Sequence, residues 1–222
     1  MSVSPTEMTD SEKLAALEKA LLDESAGPID LPISLLKTIT GNFSKAREIG
    51  QGSYGVVYKG ELPSGGTIAV KKLFPIAGME DKHFKSEVEV ACLVGVKQKH
   101  TVRLLGYCSE MQQVMISYHD EFLWANLQQR LLCFEYLPKG CLADYLSDAS
   151  CGLPWTTRYQ IIKGVCEGLH YLHQRRIIHM DLKPRNVLLD DNMTPRIADF
   201  SLSCRLSENQ SWAISEDMVG TM

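Results

Sequence analysis

With 222 residues, 45% of them hydrophobic, the chain is long enough to bury a substantial core. Its formal net charge of −4 gives no electrostatic basis for holding nucleic acid or an anionic membrane, and no apolar run approaches the roughly 20 residues that span a bilayer. Seven cysteines, an odd number with no C-x-x-C pair, read as reduced thiols without zinc-type spacing, and Met1-Ser2-Val3-Ser4-Pro5 lacks a signal-peptide core, so a cytoplasmic location is expected.

Thr9-Asp10-Ser11-Glu12 has the pattern of a capping box, and Leu14, Leu17 and Leu21 then share one face of a short helix that Gly27-Pro28 ends. This arm is read as a flanking segment packed on the domain that follows, with a docking helix as the alternative. From Ala46 to Phe74 the pattern is strand, glycine turn, strand, a turn at Pro63–Gly66, and strand. Gly50-Gln51-Gly52-Ser53-Tyr54-Gly55-Val56-Val57 fits G-x-G-x-x-G-x-V, where the missing Cβ atoms let backbone approach phosphate oxygens. A dinucleotide-binding loop would lead into helical periodicity, whereas Val56-Val57-Tyr58 is β-like, so the loop reads as a hairpin. Ile68-Ala69-Val70-Lys71 sets a cation in the next apolar strand. Asp81–Val96 is helical, with Phe84, Val88 and Ala91 at the apolar spacing and Glu87 and Glu89 as carboxylates.

Strands near Val102–Cys108 and Arg130–Tyr136 are expected to complete the sheet. The intervening Met111–Gln129 is longer than a hairpin needs and carries Tyr118, Phe122 and Trp124. It reads as an elaborated hairpin or locally packed insertion, with a partner-binding loop as the alternative. Leu142–Leu146 suggests a short helix, and Trp155–His173 a longer one burying Ile161, Ile162, Val165, Leu169 and Leu172. Ile177-Ile178, Val187–Leu189 and Arg196–Ala198 read as short strands. Around them lie His179-Met180-Asp181-Leu182-Lys183-Pro184-Arg185-Asn186 and then Asp199-Phe200-Ser201. An Asp and an Asn so spaced, followed by an Asp before Phe, form the acidic half of a phosphoryl-transfer site: one carboxylate beside the attacking hydroxyl and two oxygen ligands for Mg²⁺.

The glycine loop, Lys71, the Asp181–Asn186 loop and Asp199-Phe200 occur in one order, and on these the chain resembles the eukaryotic protein-kinase family. Within it the chain looks most like the plant receptor-like kinases of the Pelle type. Asn42-Phe43-Ser44, Phe84-Lys85-Ser86-Glu87-Val88-Glu89, Val102-Arg103-Leu104-Leu105-Gly106-Tyr107-Cys108 and Leu131-Leu132-Cys133-Phe134-Glu135-Tyr136-Leu137-Pro138 carry that likeness. It runs from about Asp30 to the last residue.

The resemblance implies an α+β, bilobal kinase-like fold. Residues 1–41 would be a helical flanking arm, 42–137 a complete antiparallel β-rich small lobe, and 138–222 the first part of the helical large lobe, ending in the activation segment. It implies ATP and Mg²⁺ as cofactors. ATP would sit under Gly50, Gly52 and Gly55, among Ile49, Val57, Ala69, Phe134 and Leu188, with backbone groups of Glu135–Leu137 offered to adenine. Lys71, paired with Glu87, would meet the phosphates; Asn186 and Asp199 would hold Mg²⁺; Asp181 would orient the hydroxyl and take its proton; Lys183 would steady the γ-phosphate. Lys183 and Thr221 favour Ser/Thr over Tyr in protein substrates, with receptor complexes or full-length kinases as further partners.

Two departures stand out. Met180 replaces an Arg that pairs with a phosphorylated activation loop, so control by loop phosphate is expected to be weak or indirect. Ser201 replaces a Gly and is expected to restrict the backbone after Asp199. The chain stops at Val219-Gly220-Thr221-Met222, which reads as a C-terminal truncation leaving the apolar face of Trp155–His173 short of partners. Two readings therefore stay open: a Ser/Thr kinase of receptor-type or defence signalling, or a truncated, catalytically weak ATP-binding and interaction module. Ser203, Ser207, Ser211 and Ser215 are read as phosphosites or, by default, ordinary solvated loop serines.

Overall fold

The computed structural model describes residues 8–75, 80–94, 98–118, 121–147 and 152–207. They fall into two compact units: the chain up to Glu80 with Leu104–Tyr136, and Asp81–Arg103 with the chain from Leu137.

The first unit is a six-stranded sheet with two helices against one face. Helix α1 spans Asp10–Leu22 and begins with the expected capping box, Thr9 N–H donating to Glu12 Oε2 (2.8 Å) and Glu12 N–H to Thr9 Oγ1 (3.3 Å). It stops at Leu22, before Gly27, because the Asp23 carboxylate accepts from Ser25 N–H (2.8 Å) and closes a local turn. Strand β1 (Ile29–Asp30), helix α2 (Ile33–Ile39), β2 (Glu48–Gly52), β3 (Gly55–Glu61), β4 (Thr67–Leu73), β5 (Leu104–Tyr118) and β6 (Glu121–Glu135) follow. The sheet order is β1-β5-β6-β4-β3-β2, antiparallel except for β1 beside β5. Alternation along β4 buries Ile68 and Val70 on one face, where Leu131, Cys133, Leu105 and Cys108 join them. Leu17, Leu31, Leu36 and Ile39 complete this core, with Leu14 and Leu21 packed at its margin. The arm is thus seated on the sheet, tied also by Lys13 to Asp30 (3.0 Å) and by Ser64 N–H to Glu18 (3.0 Å).

The second unit holds helix α3 (Glu80–Val94), α4 (Leu142–Ser147), α5 (Trp155–Gln174) and four short strands: β7 (Ile177–Ile178), β8 (Val187–Leu189), β9 (Pro195–Ile197) and β10 (Cys204–Arg205). Strands β8 and β9 pair with each other, and β10 with β7, all antiparallel. The buried line of α5 runs Ile161, Gly164, Gly168, Leu172, whereas Ile162, expected in it, is 53% exposed. At 100° per residue, neighbours cannot share a narrow stripe, and the glycines take the inner seats. A Cβ on Gly164 would lie 2.6 Å from Pro195 Cγ and 2.7 Å from His100 Cε1. His100, itself buried, uses both ring nitrogens, toward the Pro195 carbonyl (2.9 Å) and Glu167 (3.1 Å). Val90, Leu172, Ile177, Ile197 and Phe200 form this unit's core. Among the described residues no helix is long and apolar enough to cross a membrane.

The six described cysteines are free thiols. Burial, aided by the negative charges of Glu110 and Asp30, pushes the Cys108 thiol up to about 12, and burial pushes Cys133 up as well. Cys92 and Cys166 are exposed. Iodoacetamide at mildly alkaline pH should therefore label Cys92 and Cys166 in the folded protein, and Cys108 and Cys133 only after unfolding. Peptide mapping that finds Cys108 or Cys133 labelled as fast as Cys166 would contradict this core.

Candidate active site

The glycine segment is a hairpin, as its β-like flanks suggest: Gly52 faces Gly55 across the β2–β3 turn, and Tyr54 C=O accepts from Phe74 N–H (2.9 Å). The glycines differ in role. Nothing lies within 4 Å of where a Cβ would stand on Gly50 or Gly52, leaving that backbone approachable. On Gly55 the Cβ would be 2.4 Å from the Lys72 carbonyl oxygen, so the strand pairing itself demands glycine.

Lys71 stands opposite Val57 on β3 and Leu132 on β6, while Ala69 stands opposite Phe134. Directly paired residues share a face, so Val57, Ala69, Lys71 and Phe134 line the side of the sheet away from Ile68 and Val70. Ile49, on β2, is 45% exposed. Glu135 pairs with Ile68.

In the second unit Leu137 is buried, and Leu188 of β8 bridges Cys141. On α3, Glu87 is 1% exposed and Glu89 lies on the solvent face, which separates two carboxylates that the apolar period alone does not distinguish. Phe84, Glu87 and Val90 form the buried line, not Phe84, Val88 and Ala91. A carboxylate so buried is costly unless it is paired or hydrogen-bonded, so its place in the line marks more than packing.

The loop after β7 brings three expected residues together. Lys183 Nζ lies 2.8 Å from Asp181 Oδ2, and Asn186 Nδ2 donates to Asp181 Oδ2 (3.1 Å) and to its main-chain oxygen (2.9 Å). The Asp181 side chain keeps 14% exposure and that of Lys183 30%, while Asn186 is buried. Ala198 N–H donates to the Asn186 carbonyl (2.8 Å), which ties this loop to the strand leading into Asp199. Asp199 Oδ1 accepts from Ser201 Oγ (2.8 Å). The left-handed backbone falls at Met180 (φ 64°) and Asp199 (φ 65°), not at Ser201, so the Ser201 Cβ meets no torsional penalty here.

Three supporting side chains escape a motif reading. His179 is buried; its Nε2–H donates to the Ala198 carbonyl (3.0 Å) and its Nδ1 accepts from Asp181 N–H (3.3 Å). The bond accepted at Nδ1 needs the neutral ring, and burial lowers its pKa accordingly, with Lys183 adding to the effect. Ser203 is buried, donating from Oγ to the His179 carbonyl (3.2 Å), and is not the solvated loop serine expected. Arg176 Nη1 donates to the Ser207 carbonyl (2.7 Å), and Leu206 N–H to the Arg176 carbonyl (2.8 Å), holding the segment after Asp199 by backbone. The adjacency of His179 to Met180-Asp181 was the only available hint of these roles. Ser211, Ser215 and Thr221 lie outside the described residues.

A hard divalent cation prefers oxygen donors and keeps several waters. The donor chemistry fits: Asp199 has a carboxylate, and with Asn186 Nδ2 committed to Asp181, the amide oxygen is the Asn186 atom that could meet a cation. Among the described residues no group of three or more His, Cys, Asp or Glu is placed to hold a metal ion.

A β-rich unit with a glycine hairpin and a strand lysine, and a helical unit with this Asp–Lys–Asn loop, make the chain α+β in class. Residues 43–222 match the family model for the protein kinase domain, and the chain belongs to that family. Among its relatives, the G-type lectin S-receptor-like serine/threonine-protein kinase SD1-13 of Arabidopsis thaliana is 38% identical over 200 residues, 86% of this chain and 22% of the relative. The cysteine-rich receptor-like protein kinase 19 of the same plant is 36% identical over 202 residues, 89% of this chain and 28% of the relative. The chain thus spans about a quarter of the length of the curated relatives it matches.

Proposed function

We propose that this chain is an ATP- and Mg²⁺-dependent Ser/Thr protein kinase domain acting in cytosolic, receptor-type or defence signalling. The observation that carries the reading is the Lys183–Asp181–Asn186 cluster, which puts a cation and an amide within hydrogen-bond reach of one carboxylate. Its relatives' names, serine/threonine-protein kinase and receptor-like protein kinase, support the same class.

Each residue then has a task. The open backbone of Gly50 and Gly52 approaches the phosphates, and Gly55 holds the hairpin in shape. Lys71, with Glu87, neutralises phosphate charge. Val57, Ala69, Phe134 and Leu188, with Ile49 and the Glu135–Leu137 backbone, form the surroundings of the adenine. Asn186 and Asp199 hold Mg²⁺, which when bound offsets charge on the phosphate oxygens. Asp181 orients the Ser or Thr hydroxyl and accepts its proton, and Lys183 steadies the γ-phosphate from beside it. Met180, 40% exposed and uncharged, offers a phosphorylated segment no ion pair; Arg176 holds that segment without phosphate.

A second reading, a nucleotide-binding module of weak turnover, draws on the Ser201 hydroxyl, which engages one oxygen of the proposed metal carboxylate. Incubation with γ-labelled ATP and Mg²⁺ separates the two. The kinase reading expects label on Ser or Thr, of the chain itself or a generic substrate, lost in Lys71→Ala. Label on Tyr alone, or transfer indifferent to Lys71→Ala, overturns it; nucleotide binding without transfer favours the module.

A further inference from the structure

We propose that the outward face of the β5–β6 ribbon is a two-fold interface through which two copies of this chain associate. The other strands leave this ribbon early. β1 pairs β5 only at Gly106 and Tyr107, and β4 reaches β6 only as far as Leu131. The β5–β6 register nevertheless continues from Ser109↔Arg130 to Tyr118↔Glu121. Over that length no further strand among the described residues pairs either edge, and a two-stranded ribbon is marginal in water without a third layer.

Its two faces differ. Gln112 belongs to the inner face, where Lys37 Nζ of α2 reaches it (3.2 Å). The outer face holds Met111 (62% exposed), Met115 (55%), Phe122 (74%) and Trp124 (69%). Met115 is paired with Trp124 and Phe122 with Ser117, so the apolar side chains sit together. An antiparallel ribbon with one solvated face ordinarily turns its polar residues outward. Here four large apolar side chains stand outward among Gln, Ser and Asn, which marks a face that is covered.

The occupant follows from charge and area. The rest of the outer face is Gln, Ser and Asn, and Met111–Ser117 and Phe122–Gln129 contain no charge and no proline, the usual devices against association. A face without cations, on a chain of net charge −4, does not suit an anionic partner. It does suit itself, because a second copy brings no repulsion and each Met meets an aromatic ring. The two aromatics expose roughly 300 Å² and the methionines bring the patch to roughly 500 Å², so two copies would cover on the order of 1,000 Å², the lower bound of a stable specific interface.

Sedimentation equilibrium of the full chain should give a mass rising with concentration toward twice 24.8 kDa. The double variant Phe122→Glu/Trp124→Glu should stay monomeric with an unchanged circular-dichroism spectrum. Trp155→Glu, which removes an equally exposed aromatic on α5, should dimerise as before. Hydrogen exchange on the unmodified chain gives a reading free of mutation: amides of 111–117 and 122–128 should slow as dimer accumulates. The proposal is overturned by any of four results: a monomer at every concentration, a dimer that survives the double variant, loss of dimer in Trp155→Glu, or a monomer whose Trp124 instead inserts into phosphatidylcholine vesicles.

Discussion

Asp181→Asn should lower the rate of phosphoryl transfer by about two to four orders of magnitude while leaving the fold and nucleotide binding intact. The substitution keeps the shape of the side chain and removes its charge and basicity. The carboxylate stands 2.8 Å from Lys183 Nζ and 3.1 Å from Asn186 Nδ2, so an amide at the same place can still accept from Asn186. It cannot take a proton from an incoming hydroxyl. The backbone of the loop is held independently, by Asn186 Nδ2 on the Asp181 carbonyl and by the neutral His179 ring on Ala198. Initial rates with γ-labelled ATP, compared with thermal stabilisation by Mg²⁺·ATP, separate chemistry from binding. Near-native transfer by Asp181→Asn would remove Asp181 from the role of base.

The second large effect is on stability. Leu17→Ala should cost about 2–5 kcal/mol, because Leu17 is 0% exposed and its truncation leaves a cavity the surrounding side chains only partly fill. Leu31, Leu36 and Leu105 share that core, so the loss falls on the sheet carrying Lys71 and not on the arm alone. Against a typical domain stability of about 5–15 kcal/mol this is a large fraction. Urea titration should show a lower midpoint at nearly constant slope. A change below about 0.5 kcal/mol, the range of surface substitutions, would mean that α1 is not seated in the core in solution.

The contrast between what could and could not be read from sequence is physical. The capping box of α1, the glycine hairpin and the Asp181–Asn186 loop are local chemistry, and each stands where its residues imply. The α+β kinase-domain class is borne out by the family match over residues 43–222. Helix α2 went unread because Ile33–Ile39 is only seven residues, too short for a period to emerge, and β1 exists only through its two pairs with β5. The stripe on α5 was assigned by hydrophobicity, which cannot see that Gly164 and Gly168 are seats that His100, Pro195 and Ile197 press against. Glu87 counts against a buried face in any apolar tally and was recognisable only by its motif. Ser201 was expected to strain the chain, but the left-handed positions fall on Asp199 and Met180, and a hydroxyl bond to Asp199 replaces the strain. The β5–β6 ribbon was read as an elaborated hairpin, and its outward apolar face is a property of register that composition does not reveal.

The claim on which the functional account turns is that residues far apart in the chain, Lys71 and Asp199, serve one Mg²⁺-bound nucleotide. Calorimetric titration of Mg²⁺·ATP into the native chain, Lys71→Ala and Asp199→Ala tests it most directly. Saturable one-to-one binding is expected, weakened at least about tenfold by either substitution, with the Asp199→Ala deficit vanishing when chelator removes the metal. Binding that neither substitution alters, or no binding by a chain that unfolds cooperatively, would contradict it.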